Sequence, residues 1–370
     1  MLDKPFNELS LEDVLALKIN GVEEGKSIDF KLEVQLDIPK NRKEFAADIT
    51  SFANTTGGDL IIGVSEEQGL IKELHGIEIT DKDKFLQRIE SILRDAVDPQ
   101  ITGLDMNLYP IEEQNKYILH IRVPQSYVGP HIVNGEKFYG RNNAGKYQLD
   151  FVEIKQRFTL SNQVQEKIKQ YHLERIMKIK ANEGYWELQD GGALLINIVP
   201  LQSFSESVYV SALTQTRFKL NTLFGDGSYN PKIQFEGIAG LYHSSYHHIN
   251  RQGIIEIADK HLLKINQQYD TKIYAKPIIE RILKIIPNAF LNLQELGLNG
   301  PYVILTSVLD VKDRMFSYNE HDFSAAKLRQ NDMIFPSILI TNPSDLNEYE
   351  RILKELFMNA AGHFHTQYTL

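Results

Sequence analysis

The stretch Gly57-Gly58-Asp59-Leu60-Ile61-Ile62-Gly63-Val64 decides how the first half of the chain is read. A glycine pair turns the backbone into a nearly unbroken apolar run, the pattern of a strand covered on both faces. It predicts a central strand. Upstream, Ile28, Phe30, Leu32 and Val34 alternate with Ser27, Asp29, Lys31 and Glu33, which predicts a half-buried strand from Ser27 onward. Between the two, Asn41 and Glu44 form a candidate cap pair before Phe45, Ala46, Ile49, Phe52 and Ala53, spaced as one face of a helix that ends near Asn54. A strand, a helix and a second strand within forty residues mark an α/β lobe.

Further from that stretch the signals stay mixed. Ser10 with Asp13 starts a short leading helix, and Gly21 stops it. Thr80 and Asp83 cap a helix carrying Phe85, Leu86, Ile89, Ile92, Leu93 and Ala96, with Pro99 beyond its end. Leu104 to Ile111 and Lys116 to Val123 read as strands, and Asn134-Gly135 as a tight hairpin between Ile132-Val133 and Lys137-Phe138-Tyr139. From Asp150 the chain turns helical, and a charged helix over Asn162 to Ala181 leads out of the lobe, which puts a boundary near Ser161. Two domains are expected, 1–160 and 161–370, the second again mixed α/β. Its strands fall at Ala193 to Val199, between Ile233 and Ile257, at Tyr302 to Leu309 and at Met333 to Ile340. Its helices open near Pro277 and cover Leu346 to Ala360. Gly191-Gly192 before Leu194-Leu195-Ile196 echoes the central strand and raises a second copy of the lobe as an alternative.

Composition limits function. The 370 residues carry no cysteine, which excludes disulfides, thiolate zinc sites and a cysteine nucleophile, and fits a reducing compartment. The N-terminus has no signal-like apolar core, and no run reaches the roughly 18 apolar residues of a membrane span. The cytoplasm is the expected location, with no membrane partner. A net charge of −9 argues against a protein that coats nucleic acid indiscriminately, because such binding rests on cations that neutralise phosphates. A nucleic-acid site must then be local, at Arg42 with Lys43, at Arg141 with Lys146, or among the cations from Lys167 through Lys180. Each of these also reads as an ordinary solvated face. No phosphate-cradling glycine loop, dinucleotide fingerprint or nucleophile elbow is present, so no nucleotide cofactor is implied. His243, His247 and His248 with Tyr242 and Tyr246 read as an aromatic, histidine-rich surface rather than a metal site, and His363 and His365 read as equally bland.

One constellation stands out: Glu24, Asp29-Phe30-Lys31, and Glu66-Glu67 at the exit of the central strand. Asp29 and Lys31 project to the same side of a strand, where a carboxylate can hold a divalent cation and an ammonium a phosphate oxygen. The same pair also fits the plain polar face of a half-buried strand. Glu24 is offset by five residues and joins Asp29 only if Gly25 bends the chain.

The blocks Glu24-Gly25-Lys26-Ser27-Ile28-Asp29-Phe30-Lys31 and Ile49 through Val64, with Pro130-His131 and Phe138-Tyr139-Gly140-Arg141 in that order, resemble the signature of the Schlafen AlbA-type (divergent AlbA, Schlafen AlbA-2) domain over about residues 20–150. The resemblance implies a prokaryotic Schlafen-like protein with a nucleic-acid-binding lobe, and in some members a metal-dependent endoribonuclease acting on transfer and ribosomal RNA. It places the family's acids on Glu24, on Asp29 (aspartate for the usual glutamate), and on Glu66 or Glu67 after the Gly63-Val64 pair, with Glu66 chosen. The implied catalytic set is Glu24, Asp29, Glu66 and Lys31, with Mg2+ or Mn2+ on the three acids and Arg42, Lys43, Arg141 and Lys146 on the nucleic acid. A family zinc site is absent. The family's cleft pairs two lobes, and homodimerisation would supply the second. RNA is the expected partner, DNA the other candidate, and anti-phage defence the implied setting. A nonenzymatic DNA- or RNA-binding regulator, and a ligand-sensing or assembly protein acting through its second half, stand as alternatives.

Overall fold

The computed structural model describes residues 2, 4, 6–111, 115–188, 191–204, 208–210, 218–226, 231–263, 272–319, 326–343 and 345–361. The chain divides into two compact α/β units, 1–164 and 165–370.

The first unit runs α1 (Leu11–Ile19), β1 (Ile28–Lys31), α2 (Pro39–Ala53), β2 (Gly58–Ile62), β3 (Val64–Glu67), β4 (Leu70–Leu74), β5 (Ile77–Glu78), α3 (Lys82–Ala96), β6 (Val97–Asp98), β7 (Asp105–Pro110), β8 (Lys116–Val123), β9 (Ile132–Val133), β10 (Lys137–Asn142), β11 (Gly145–Gln148) and the start of α4 (Phe151–Lys180). Strands β1, β2, β8 and β5 form a mixed sheet in that order, with β7 also on β8. The pair β1–β2 is parallel and β2–β8 antiparallel. Leu60 and Ile62 pack toward α2 and α3, against Phe45, Ile49, Phe52 and Ile89. Ile61 packs on the opposite face, against Val14 and Leu17 of α1 and Phe30 of β1. The central strand is thus covered on both sides, which is why its run needs no polar alternation. Full burial of each such side chain contributes about 1.5–3 kcal/mol.

Local rules explain most boundaries, and also the misplaced ones. Asp13 of α1 accepts from the Ser10 N–H at 2.9 Å, the expected helix start. Helix α2 begins at Pro39, ahead of the expected Asn41–Glu44 cap, because a proline at the first helical position needs no N–H partner. Helix α3 is capped by Asp81 rather than Thr80; the Asp81 carboxylate accepts from Lys84 N at 3.1 Å. Strand β1 stops at Lys31 instead of running on to Val34. Its partner β2 ends at Ile62, opposite Lys31, and Gly63, at φ +107°, turns the chain away. Leu32 consequently lies exposed. Asn134 and Gly135, both at positive φ, make the expected turn between β9 and β10. Helix α4 runs unbroken through Ser161, and the two units divide inside it.

The second unit begins within α4 and continues with β12 (Ala193–Pro200), β13 (Lys232–Ile233), β14 (Gly237–Tyr242), β15 (Ser245–Asn250), β16 (Ile255–Asp259), β17 (Lys272–Tyr274), α5 (Ala275–Glu295), β18 (Tyr302–Leu309), β19 (Met315–Ser317), β20 (Ala326–Lys327), β21 (Met333–Ile334), β22 (Ile338–Ile340) and α6 (Asn347–Ala360). The order β13-β14-β15-β16-β12-β18 is antiparallel throughout, with β21 and β22 both on β18. That pattern differs from the first unit's mixed sheet and does not repeat it. Strands β21 and β22 replace the single strand expected over Met333 to Ile340. Leu194, Ile196 and Ile198 face α5 and α6, while Leu195 and Ala193 pack against Ile176 and Ile179 of α4.

On the α4 face lies a buried polar network. Arg175 donates twice to Glu256, at 2.6 and 2.7 Å, and Tyr246 and Asn197 donate to the same carboxylate at 2.6 and 3.0 Å. His172 bridges Asn197 and Ser307, both at 2.7 Å. Tyr246, His247 and His248 are fully buried, so the expected histidine-rich surface is corrected for these three: β15 is an interior strand with both faces covered, whereas Tyr242 and His243 before it are exposed. His363 and His365 lie outside the described residues. Among the described residues no helix is long and apolar enough to cross a membrane.

Two outcomes follow from this network. Glu256→Gln strands the buried Arg175 charge and should lower unfolding stability by about 3–5 kcal/mol in denaturant titration, whereas Glu174→Gln, which breaks the exposed pair with Lys178, should cost less than about 1 kcal/mol. Burial pushes the His247 imidazole down to about 4 and that of His248 to about 3, from an ordinary 6.5. The unfolded chain therefore takes up protons that the fold refuses, so stability is complete above pH 6.5 and declines as pH falls toward 4. His248→Phe should flatten that decline in unfolding midpoints taken across this pH range.

Candidate nucleic-acid and cation site

Strand β1 is the edge of the first unit's sheet, and its polar face looks along α2. Ile28 and Phe30 point into the α1 core, so Asp29 and Lys31 point to the other side. There a cavity of about 800 Å³ is lined by Glu24, Asp29, Lys31, Glu44, Asp48, Arg141 and Lys146, among others.

Glu24 reaches this wall because the chain folds back on itself. Gly25 N donates to Ile28 O at 3.0 Å, and the Glu24 carboxylate accepts from Phe30 N at 2.6 Å, so the required bend at Gly25 exists. Burial, together with the neighbouring Asp29 charge, raises the Glu24 carboxyl above its usual range despite the Phe30 hydrogen bond.

Asp29 is held by Arg141. The guanidinium Nη2 lies 2.5 Å from Asp29 Oδ1, both side chains are nearly sealed, and Nε donates to Gly25 O at 2.9 Å. The same guanidinium stacks over Phe52, 4.6 Å from its centroid. Arg141 is delivered there by the Asn54-Thr55 pair at the end of α2. Asn54 exchanges hydrogen bonds with His131 and donates to Tyr139 O, and Thr55 Oγ1 accepts from Arg141 N at 3.0 Å. Lys31 Nζ lies 3.1 Å from Asp29 Oδ2. That oxygen is buried and has no partner in hydrogen-bonding geometry.

The second cation group comes from β11. Lys146, opposite Arg141 in the hairpin register, places its ammonium 2.8 Å from Glu44 Oε2 and 2.9 Å from Asp48 Oδ1. Burial alone would lower the Lys146 ammonium, but the Asp48 and Glu44 charges outweigh it and keep it protonated; burial raises the Asp48 carboxyl.

Two sequence expectations change here. Glu66 does not line the cavity; it sits on the exposed β3–β4 hairpin, where its Oε2 accepts from Gly69 N at 2.8 Å and closes its own turn. Glu67 pairs with Lys72. The acid standing with Glu24 and Asp29 is Asp48. It was overlooked because a single aspartate beside an apolar helix stripe has no motif, although Glu44 and Asp48 at i and i+4 share a helix flank. Of the four cations expected on nucleic acid, Arg141 and Lys146 line the cavity, and Arg42 and Lys43 do not. Lys43 pairs with Glu136, and Arg42 is half-buried on α2.

Among the described residues no group of three or more histidine, aspartate or glutamate side chains is arranged to hold a metal ion. The residues fit a looser site. Mg2+ keeps several waters and is commonly held by one or two carboxylates plus substrate phosphate. Glu24 and Asp29 Oδ2, whose neighbour is the half-exposed Lys31 ammonium, supply that number.

Residues 24–150 match the family described as Schlafen, AlbA_2, so the first unit contains a Schlafen AlbA_2 domain. That family is associated with nucleic acid. No curated protein matches the chain. A crystal structure of the DIP2311 protein of Corynebacterium diphtheriae is similar at 19% identity and TM-score 0.28, over 40% of this chain and 27% of that one. The chain thus spans well under two thirds of that protein's length, and a likeness of this degree decides neither fold nor function.

Asp29→Asn should be costly, because it leaves the buried Arg141 without its carboxylate; about 3–5 kcal/mol is expected from denaturant unfolding. Glu24→Gln should stay within about 1 kcal/mol of the parent, since it removes a charge that burial already disfavours. Equal losses from the two would contradict the assignment of Asp29 as the structural partner.

Proposed function

We propose that the first unit binds structured RNA such as transfer RNA and cleaves it with Mg2+ or Mn2+ held by Glu24 and Asp29. The observation that carries this reading is the acid-lined cavity that gathers Glu24, the buried Asp29 and Lys31, with Lys31 Nζ 3.1 Å from Asp29 Oδ2. When bound, the ion would lower the pKa of an attacking hydroxyl and neutralise charge developing on the phosphate. Arg141 fixes Asp29 through Oδ1, and an ion at Oδ2 would share that oxygen with Lys31. Lys31, nearly half exposed, offers an ammonium to a phosphate oxygen. Glu66 has no part in this reading. RNA as the partner and a role in stopping translation during anti-phage defence come from the family resemblance. A cytoplasmic homodimer belongs to the same proposal.

A binding-only regulator is favoured by a different observation. Lys31, Arg141 and Lys146 all pair with acids of the domain itself, which suits a surface that holds nucleic acid without reacting. Incubation of the purified chain with total RNA and Mn2+ separates the two readings. Discrete cleavage products from the parent, reduced at least about tenfold in Glu24→Gln, support the nuclease. RNA retained intact by both proteins supports the regulator. Equal cleavage by both would remove Glu24 from the chemistry.

A further inference from the structure

The β10–β11 hairpin brings two cations to one acid-lined wall, and they are held in different ways. Arg141 is 3% exposed and locked by Asp29, by Gly25 O and by the Phe52 ring. Lys146 keeps 18% of its side chain exposed at the cavity. Its ammonium fills the space between Glu44 and Asp48, one helical turn apart, with a longer contact of 3.3 Å to Glu44 O. Elsewhere on the same wall Asp29, 3% exposed, holds Arg141 on Oδ1 and has Lys31 Nζ 3.1 Å from Oδ2.

We infer that Lys146 is the resident counterion of Asp48, that a divalent cation entering the cavity displaces it, and that the released ammonium then takes an RNA phosphate. The inference rests on the cation reading of Glu24 and Asp29 above. An ammonium at Asp48 repels a dication held elsewhere in the same cavity and occupies a carboxylate that could otherwise bind the ion directly or through water. Lysine suits an exchangeable role: it is a point charge on a flexible four-carbon stem, whereas the planar guanidinium of Arg141 is fixed by several directed contacts. The exchange links the two ligands. A metal ion that expels Lys146 from Asp48 supplies the phosphate with a cation, and by reciprocity RNA that engages Lys146 opens Asp48 to the metal.

The test is calorimetric titration of Mn2+ into the full-length chain without RNA, followed by RNA binding to the Mn2+-loaded protein. Lys146→Met should bind Mn2+ about tenfold more tightly than the parent and then bind RNA about tenfold more weakly. Lys146→Gln, which retains a donor for Asp48, must shift both constants in the same directions and decides the matter if the methionine variant fails to fold. Asp48→Asn should weaken Mn2+ binding. Lys84→Met, on the exposed pair with Asp81, should match the parent. If Glu24→Gln weakens Mn2+ binding while both Lys146 variants keep the parental affinity, the displacement role is overturned and the cation site stands. If the parent binds no Mn2+ at the cavity, both fall.

Discussion

The buried ion pair between Asp29 and Arg141 is the constraint on which the candidate site depends. Breaking such a pair by removing one partner leaves an uncompensated charge in a low-dielectric interior, so both groups must be delivered together. Delivery takes three separated pieces of chain. Strand β1 supplies the aspartate, the end of α2 supplies Asn54 and Thr55 as clamps, and β10 supplies the arginine. The glycines serve the same closure. Gly57, at φ +73°, lies so near the β8 exit that an added Cβ would sit 2.7 Å from Val123 O, and this tight turn sets β2 in register beside β1.

That constraint shapes the electrostatics of the cavity. Asp29 meets Arg141 on one oxygen and Lys31 on the other, and Lys146 answers Asp48 while remaining partly exposed. A chain with a net charge of −9 gathers its local cations against its own acids rather than on a bare basic face. On the proposed reading, affinity for phosphate depends on what else enters the cavity. This differs from proteins whose free lysines and arginines dominate binding.

The second unit shows a different use of buried charge. Arg175, Glu256, Tyr246 and Asn197 satisfy one another on one face of a sheet whose other face is largely apolar but also buries Ser245, His247, Asp259 and Thr306. A polar cluster that is complete in this way fixes the packing of a helix, since any other placement would leave donors and acceptors stranded. His248, on the same face, stacks on Tyr185 with neither ring nitrogen hydrogen-bonded, while His247 lies on the opposite face and meets Asn221 O; burial lowers both imidazoles.

By itself the sequence determined what depends on neighbours along the chain. The apolar run at Leu60, the alternation through Asp29 and Phe30, the Ser10–Asp13 helix start and the Asn134-Gly135 turn each follow from local sterics and periodicity, and they place α/β order and the Glu24–Lys31 wall where they are found. Only the tertiary structure decided which charges meet. Glu66 belongs to a pair at a strand exit and Asp48 stands alone beside an apolar helix stripe, and nothing local says that the first closes its own hairpin turn while the second faces a lysine about a hundred residues away. Likewise the Tyr246-His247-His248 run has the composition of a surface, and it is buried because β15 lies inside the sheet. Contacts between distant segments carry no periodic signature, so their energies become legible only once the chain has closed.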